Sequence, residues 1–283
     1  MLASKNGEAE NPSQPAQPGV DPFGMDRKYI DRLGKTLFKF LYTRYWRVET
    51  LGLENIPREG GAVLVGTHRG FIPWDAFMVL HAIVRETGRV PRFLTHPGLL
   101  KFRPISTVMA RLGGVLACRQ SADWVLARNE MLGVFPEGVR SAFSLYRQAY
   151  KLQSFGRDDF VKMALRHAAP IVPFVTVGSA ESLPVFAQIQ SRRWTRFSLW
   201  PCIPVSTFPF IPLPLPSKWH TQYLPAMHVE RQHPPEAARD ASVVKAISRE
   251  VKEQMQAAVD GILRRRPSIF FGSVFGAGRE PQG

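Results

Sequence analysis

Cysteine is scarce: Cys118 and Cys202 are the only two in 283 residues. No disulfide framework can hold such a chain, and nothing points to a secreted scaffold. Acid is short as well, with 23 Asp and Glu against 37 Lys and Arg, a net charge of +14. A surface of that sign suits anionic partners such as lipid head groups, nucleic acid or an acidic carrier, and does not choose among them. No run of about 18 apolar residues is present, so no transmembrane helix is expected. The nearest approach, residues 197–216, is uncharged but broken by Pro201, Pro204, Pro209, Pro212, Pro214 and Pro216, which would interrupt a spanning helix repeatedly. It reads as an extended apolar segment that either packs on the core or dips into a membrane interface. Residues 1–24 lack the apolar centre of a signal peptide and read as a disordered tail. A Gly-x-Ser-x-Gly elbow is missing, which argues against a serine hydrolase. His81, His96, His167, His220, His228 and His233 show no metal-ligand spacing, so no metal is expected.

What is present is a core-forming pattern. Hydrophobic residues make up 45% of the chain, enough to bury a real interior. Short apolar runs at 62–67, 92–95, 114–117, 132–135 and 171–177 read as buried strands. Helical spacing falls between or beside them at 74–85, 99–112, 122–131 and 158–168. The alternation implies an α/β fold: a single domain with a mostly parallel central sheet flanked by helices. Residues 48–235 would form that domain. A long C-terminal helix is expected within 236–267, where Val244, Ile247, Val251, Met255, Ala258 and Ile262 repeat at spacings of three and four. A flexible tail would follow over 268–283. Ahead of the domain, 25–47 reads as a basic amphipathic helix. Its stripe of Ile30, Leu33, Leu37, Phe40 and Leu41 could meet either an anionic bilayer or the domain itself.

Chemistry gathers at the ends of the central strands. His68 follows the strand ending at Thr67, and Asp75 lies beyond a loop holding Gly70 and Pro73. Pro73 suits a helix start, and the dipole favours Asp75 in the first turn. A carboxylate there can fix one ring nitrogen of His68 and leave the other to accept a proton. Taken alone, a His and an Asp with six residues between them are weak evidence. Two further strand ends add to them: Arg119 after Gly113–Cys118, and Phe135-Pro136-Glu137-Gly138-Val139-Arg140-Ser141 after the next strand. Pro170-Ile171-Val172-Pro173 opens the strand after that. Such edges are where α/β sheets bind ligands, and two arginines there suit a phosphate.

These four blocks, in this order, resemble the glycerolipid acyltransferase family, which includes bacterial lysophosphatidate acyltransferases. The resemblance spans roughly residues 48–182, with a looser echo at 214–220, and FPEGVRS carries it most specifically. One block departs: His68 and Asp75 are separated by six residues where the common pattern has four. GTHRGFIPWDAF is closer to the diacylglycerol-acyltransferase-like branch, which leaves the acceptor open between a lysophospholipid and a glyceride. The resemblance implies direct transfer from acyl-CoA or acyl-carrier protein to a lipid hydroxyl, with His68 as base and Asp75 orienting it. It implies substrate binding by Arg119, Glu137, Gly138 and Arg140, Glu137 either positioning the acceptor or bracing its loop. Backbone amides near Gly70 or Gly138 would stabilise the oxyanion. No bound cofactor is implied. The partners are a lipid acceptor, an acyl donor and an anionic membrane surface, which places the protein as a peripheral membrane protein on the cytoplasmic face. The competing reading is a basic, non-catalytic lipid or nucleic-acid binder. Nucleic acid is not expected, because the basic residues are spread along the chain and no nucleic-acid motif occurs.

Overall fold

The structure is a computed structural model describing residues 21–70, 72–156, 158–190, 202–207 and 213–275, with only the backbone of Arg140. Its centre is a seven-stranded sheet in the order β1-β9-β6-β2-β5-β3-β4. These strands are β1 (Glu49–Leu51), β2 (Ala62–Gly66), β3 (Arg92–Thr95), β4 (Gly114–Leu116), β5 (Met131–Val134), β6 (Ile171–Val177) and β9 (His220–Tyr223). All neighbours pair parallel except β6 with β9. Every residue of β2, β5 and β6 is buried, which is why these strands read as continuous apolar runs rather than alternating ones. A separate antiparallel pair joins β7 (Val185–Ile189) to β8 (Ile203–Ser206).

Two apolar clusters cover the two faces. On one, the Ala241–Arg265 helix lays Val244, Ile247, Val251, Met255, Val259 and Ile262 against Val63, Val65 and Val175. Asp240 caps this helix by accepting from the amides of Ser242 (2.8 Å) and Val243 (3.4 Å). On the other face, α1 (Arg27–Lys35), α2 (Leu37–Phe40) and α3 (Trp74–Thr87) pack Ile30, Phe38 and Met78 against Leu64, Val172 and Phe174. Burying each such side chain contributes about 1.5–3 kcal/mol.

The N-terminal amphipathic helix is therefore not one rod presented to solvent. It breaks at Thr36 (φ −118°, ψ −99°), resumes as α2, and widens into a π-helical turn over Leu41–Tyr45. Ile30, Phe38, Leu41, Tyr42 and Trp46 are buried, so most of the apolar stripe serves the domain. Trp46 is fully buried, stacked on Trp219 at 4.2 Å with Trp74 edge-on at 5.6 Å.

The expected tails also differ at their inner ends. Asp21–Gly24 are folded on the domain: Asp21 pairs with Arg92, an arginine wholly buried at the start of β3, and Phe23 packs edge-on against Trp124 at 4.8 Å. A buried guanidinium needs a carboxylate, and this segment delivers it. At the other end, Ser268–Phe275 folds back, with Val274 buried and its amide donating to Glu49 (3.0 Å). Residues 1–20 and 276–283 of those tails lie outside the described residues. Of the proline-rich segment, Ile203–Ser206 forms β8 and Cys202 is buried, while Leu213 stands 68% exposed. Residues 197–201 and 208–212 lie outside the described set.

The helix expected over 99–112 is two, Pro97–Leu100 and Arg103–Arg111. Pro104 has no N–H to continue the first, and its ring would clash with the preceding turn. Among the described residues no helix is long and apolar enough to cross a membrane.

His81 on α3 sits between α2 and the π-helical turn, facing the rings of Phe38 and Tyr42, and burial pulls it down to about 4. Burial likewise pulls His220 of β9 to about 4. Between that value and an ordinary 6.5 the unfolded chain binds these protons and the folded chain does not, so stability falls as pH drops through the window. The melting temperature should decline from pH 7 toward pH 4.5, and His81→Phe should flatten the slope in a calorimetric pH series. An unaltered slope would refute the assignment to His81.

Candidate functional site

β2 ends between the loops that follow β5 and β6, so His68 emerges at the carboxyl edge of the sheet with a neighbour on each side. Gly66 is required just below it, since a Cβ there would lie 2.0 Å from the Phe174 ring. The chain then turns through Gly70 (φ +89°) and enters α3 at Trp74, with Pro73 as the N-cap residue.

Asp75, in the first turn of α3, is 1% exposed and saturated with donors. Its Oδ1 accepts from the amide of Ala76 (2.8 Å) and its Oδ2 from the amide of Arg69 (2.8 Å). His68 Nδ1 lies 2.8 Å from Oδ1 and 3.0 Å from Oδ2. Both carboxylate oxygens act as acceptors for backbone amides, and with Nδ1 as the third donor the ring proton sits on Nδ1. Nε2, on the far edge of the ring, is left as the basic atom. Phe135 backs the imidazole at 5.0 Å and itself stacks on Phe93 at 5.7 Å, which fixes the ring plane. A neutral imidazole held this way can accept a proton at Nε2.

The FPEGVRS loop closes on the same turn. Gly138 takes φ +69°, a left-handed conformation that glycine adopts without strain. Glu137 forms a bidentate pair with Arg69 (2.8 and 3.1 Å), the two side chains 1% and 4% exposed. Its Oε2 also accepts from the amide of Gln153 (2.7 Å). Arg69 further donates to the carbonyls of Ala149 and His68. Ser141 Oγ donates to the carbonyls of Gly138 (2.9 Å) and His68 (3.2 Å). Of the two roles considered for Glu137, the geometry is that of a brace: its carboxylate is occupied by the protein.

Arg119 is not brought to this pair. It opens the Arg119–Leu126 helix after β4, three strands from β2, or about 14 Å at the usual strand spacing. Its side chain is 70% exposed and its Nε meets Asp123 at 3.3 Å. Arg140 stands in the Val139–Ala142 turn, and its side chain lies outside the described residues. The sequence reading missed Arg69, whose role depends on a partner 68 positions away and leaves no local signal. It also passed over Ser141, although that serine lies inside the recognised block.

A further buried network runs from Tyr150 to the end of the long helix. Tyr150 donates to Glu181, which pairs with Arg266 at the end of the long helix. Burial and the Glu181 charge push the Tyr150 hydroxyl well above its ordinary range. The cleft beside Gly70, lined by Arg69, Ser141, Ala180 and Leu183, has room for about 10 Å³, no more than a water molecule. Among the described residues no group of three or more His, Cys, Asp or Glu is placed to hold a metal ion.

The acyltransferase family model matches residues 47–177, from the approach to β1 to the end of β6. An uncharacterized protein of Mycobacterium tuberculosis is 33% identical over 262 residues, covering 89% of this chain and 72% of its own length. The chain belongs to the acyltransferase family. More distant relatives of this acyltransferase carry functional names. The DGAT1/2-independent enzyme synthesizing storage lipids of Bos taurus is 26% identical over 52% of this chain and 43% of its own. Phytyl ester synthase 2 of the Arabidopsis thaliana chloroplast is 28% identical over 50% of this chain and 21% of its own. The matched span of the acyltransferase holds both His68 and Asp75 and the whole FPEGVRS loop.

Proposed function

We propose that this acyltransferase esterifies a lipid hydroxyl, with a glycerolipid as acceptor and acyl-CoA or acyl-carrier protein as donor. The observation that carries the reading is the buried Asp75 carboxylate holding His68 Nδ1 at the sheet edge. In the proposed reaction the acceptor oxygen gives its proton to His68 Nε2 and attacks the thioester carbonyl. The C–O bond forms, the C–S bond breaks, and the proton passes from His68 to the leaving thiolate. No acyl-enzyme is formed. Backbone amides near Gly70 and Gly138 are the candidates to meet the oxyanion, the Gly138 amide itself being donated to the Phe135 carbonyl (3.0 Å). Arg140 and Arg119 are assigned to phosphate, Arg119 to the more distant end of the donor. The relatives' names, storage-lipid and phytyl-ester synthesis, favour a neutral alcohol such as a glyceride over lysophosphatidate. The protein is proposed to work as a peripheral membrane protein on the cytoplasmic face.

The test is a panel of hydroxyl acceptors (diacylglycerol, monoacylglycerol, lysophosphatidate, long-chain alcohol) incubated with one labelled acyl-CoA. Ester product with a glyceride and release of free CoA are the expected result. Thioester hydrolysis with no ester from any acceptor would overturn the reading. Salt-sensitive retention of nucleic acid without turnover would favour the binding protein instead.

A further inference from the structure

Of the helix stripe that the sequence offers, the domain takes Ile30, Leu33 and Leu41 and leaves Leu37 and Phe40 outside. Three segments distant in sequence meet around Tyr45 and Arg47. The Tyr45 ring lies 6.3 Å from that of Phe40, and its hydroxyl donates to the carbonyl of Pro214, next to Leu213. Arg47 donates to the carbonyls of Tyr45 (3.2 Å) and Phe270 (2.7 Å) and lies over the Phe271 ring at 5.6 Å. Leu37 is 44% exposed, Phe40 53%, Leu213 68%, Phe270 49% and Phe271 70%. Five large apolar side chains gathered in one place on a strongly charged protein form a patch that calls for a partner.

Charge names the partner. Residues 32–48, 213–218 and 264–275 contain no Asp or Glu, but they carry Lys35, Lys39, Arg44, Arg47, Arg264 and Arg265. Glu49 and Glu181 reach these segments but are committed to Lys218 and Arg266, which leaves Lys39, Arg44 and Arg47 among the apolar side chains, a combination that matches an anionic bilayer.

The fold places this patch beside the chemistry. Because β9 runs antiparallel to β6 and β1 parallel to β9, the amino ends of β1 and β9 lie at the carboxyl edge of β6 and β2. Residues 44–48 and 213–219 therefore share the edge from which His68 emerges. Trp46, between Tyr45 and Arg47, contacts Trp74, the residue before Asp75.

We infer that Leu37, Phe40, Leu213, Phe270 and Phe271, ringed by Lys39, Arg44 and Arg47, form a docking face for an anionic lipid bilayer that holds the His68 edge against the membrane. The inference rests on the lipid acyltransferase reading for its purpose, and on exposure and charge for its location.

The test uses the full chain and co-sedimentation with vesicles of phosphatidylcholine alone or with added phosphatidylglycerol. Phe40→Ser with Phe271→Ser should weaken partition on the order of tenfold or more, and Phe40→Leu with Phe271→Leu should restore it. Lys39→Glu with Arg44→Glu should abolish the preference for anionic vesicles. All these residues are exposed, so melting temperature and turnover of a detergent-dispersed acceptor should match the parent. Unchanged partition in both the serine and the charge variants would overturn the docking face. So would a dimer on gel filtration that the serine pair converts to monomer without altering vesicle binding, because the occupant would then be a second copy. Altered partition in a protein that acylates no acceptor would leave the docking face standing and overturn the enzymatic reading alone.

Discussion

Replacing His68 by alanine should lower turnover by about 10³–10⁴-fold, the upper range of general-base contributions, with little loss of stability. The side chain is 15% exposed, and its packing contact is one face of Phe135. Asp75→Asn should cost turnover nearly as much by a different route. Asp75 serves three donors: the amides of Arg69 and Ala76 and the Nδ1–H of His68. An asparagine can retain one oxygen and must turn its NH2 toward one of the others. If the NH2 faces the ring, His68 accepts at Nδ1 and carries its proton on Nε2, the atom meant to act as base. If it faces an amide, a buried donor loses its acceptor, which costs about 1–3 kcal/mol. Asp75→Asn should therefore show both a fall in kcat and a lower melting temperature, whereas His68→Ala should show the first alone. Steady-state kinetics and calorimetry on the two variants separate the roles. Turnover within a few-fold of the parent in His68→Ala would refute the base assignment.

Glu137→Gln should be the most damaging single change to stability near the site. Glu137 and Arg69 are almost wholly buried and matched tooth to tooth. Neutralising one partner strands the other charge in the interior, a loss of about 3–5 kcal/mol. Removing both charges, as in Arg69→Met with Glu137→Met, should recover much of that stability, because apolar side chains of similar volume need no partner. Activity should not return with it. Arg69 holds the carbonyl of His68 and Glu137 the amide of Gln153, and methionine makes neither hydrogen bond. Equilibrium unfolding of the two single variants and the double one, followed by turnover of each folded protein, forms the cycle that checks this. A double variant with full turnover would show that the pair only stabilises.

The sequence by itself determined the elements whose environment is uniform along the chain. β2, β5 and β6 are buried on both faces, so they read as unbroken apolar runs, and the Ala241–Arg265 helix meets a single surface, so its stripe is regular. It also marked His68, Asp75 and the FPEGVRS loop as candidates, because their spacing and order are properties of the chain. Tertiary structure decided everything that depends on a partner far away in sequence. The amphipathic stripe from Ile30 to Leu41 is equally suited to a bilayer or to α3, and only packing assigns Ile30 and Phe38 to the core while leaving Leu37 and Phe40 outside. Glu137 is a buried brace rather than a free carboxylate because Arg69 reaches it from 68 residues away. Arg119 carries the right charge at a strand end, but strand order sets it three strands from His68. Periodicity reports how much of a side chain is buried. It does not say against what, and for this protein that second fact separates the proposed base and its carboxylate from the residues that hold them in place.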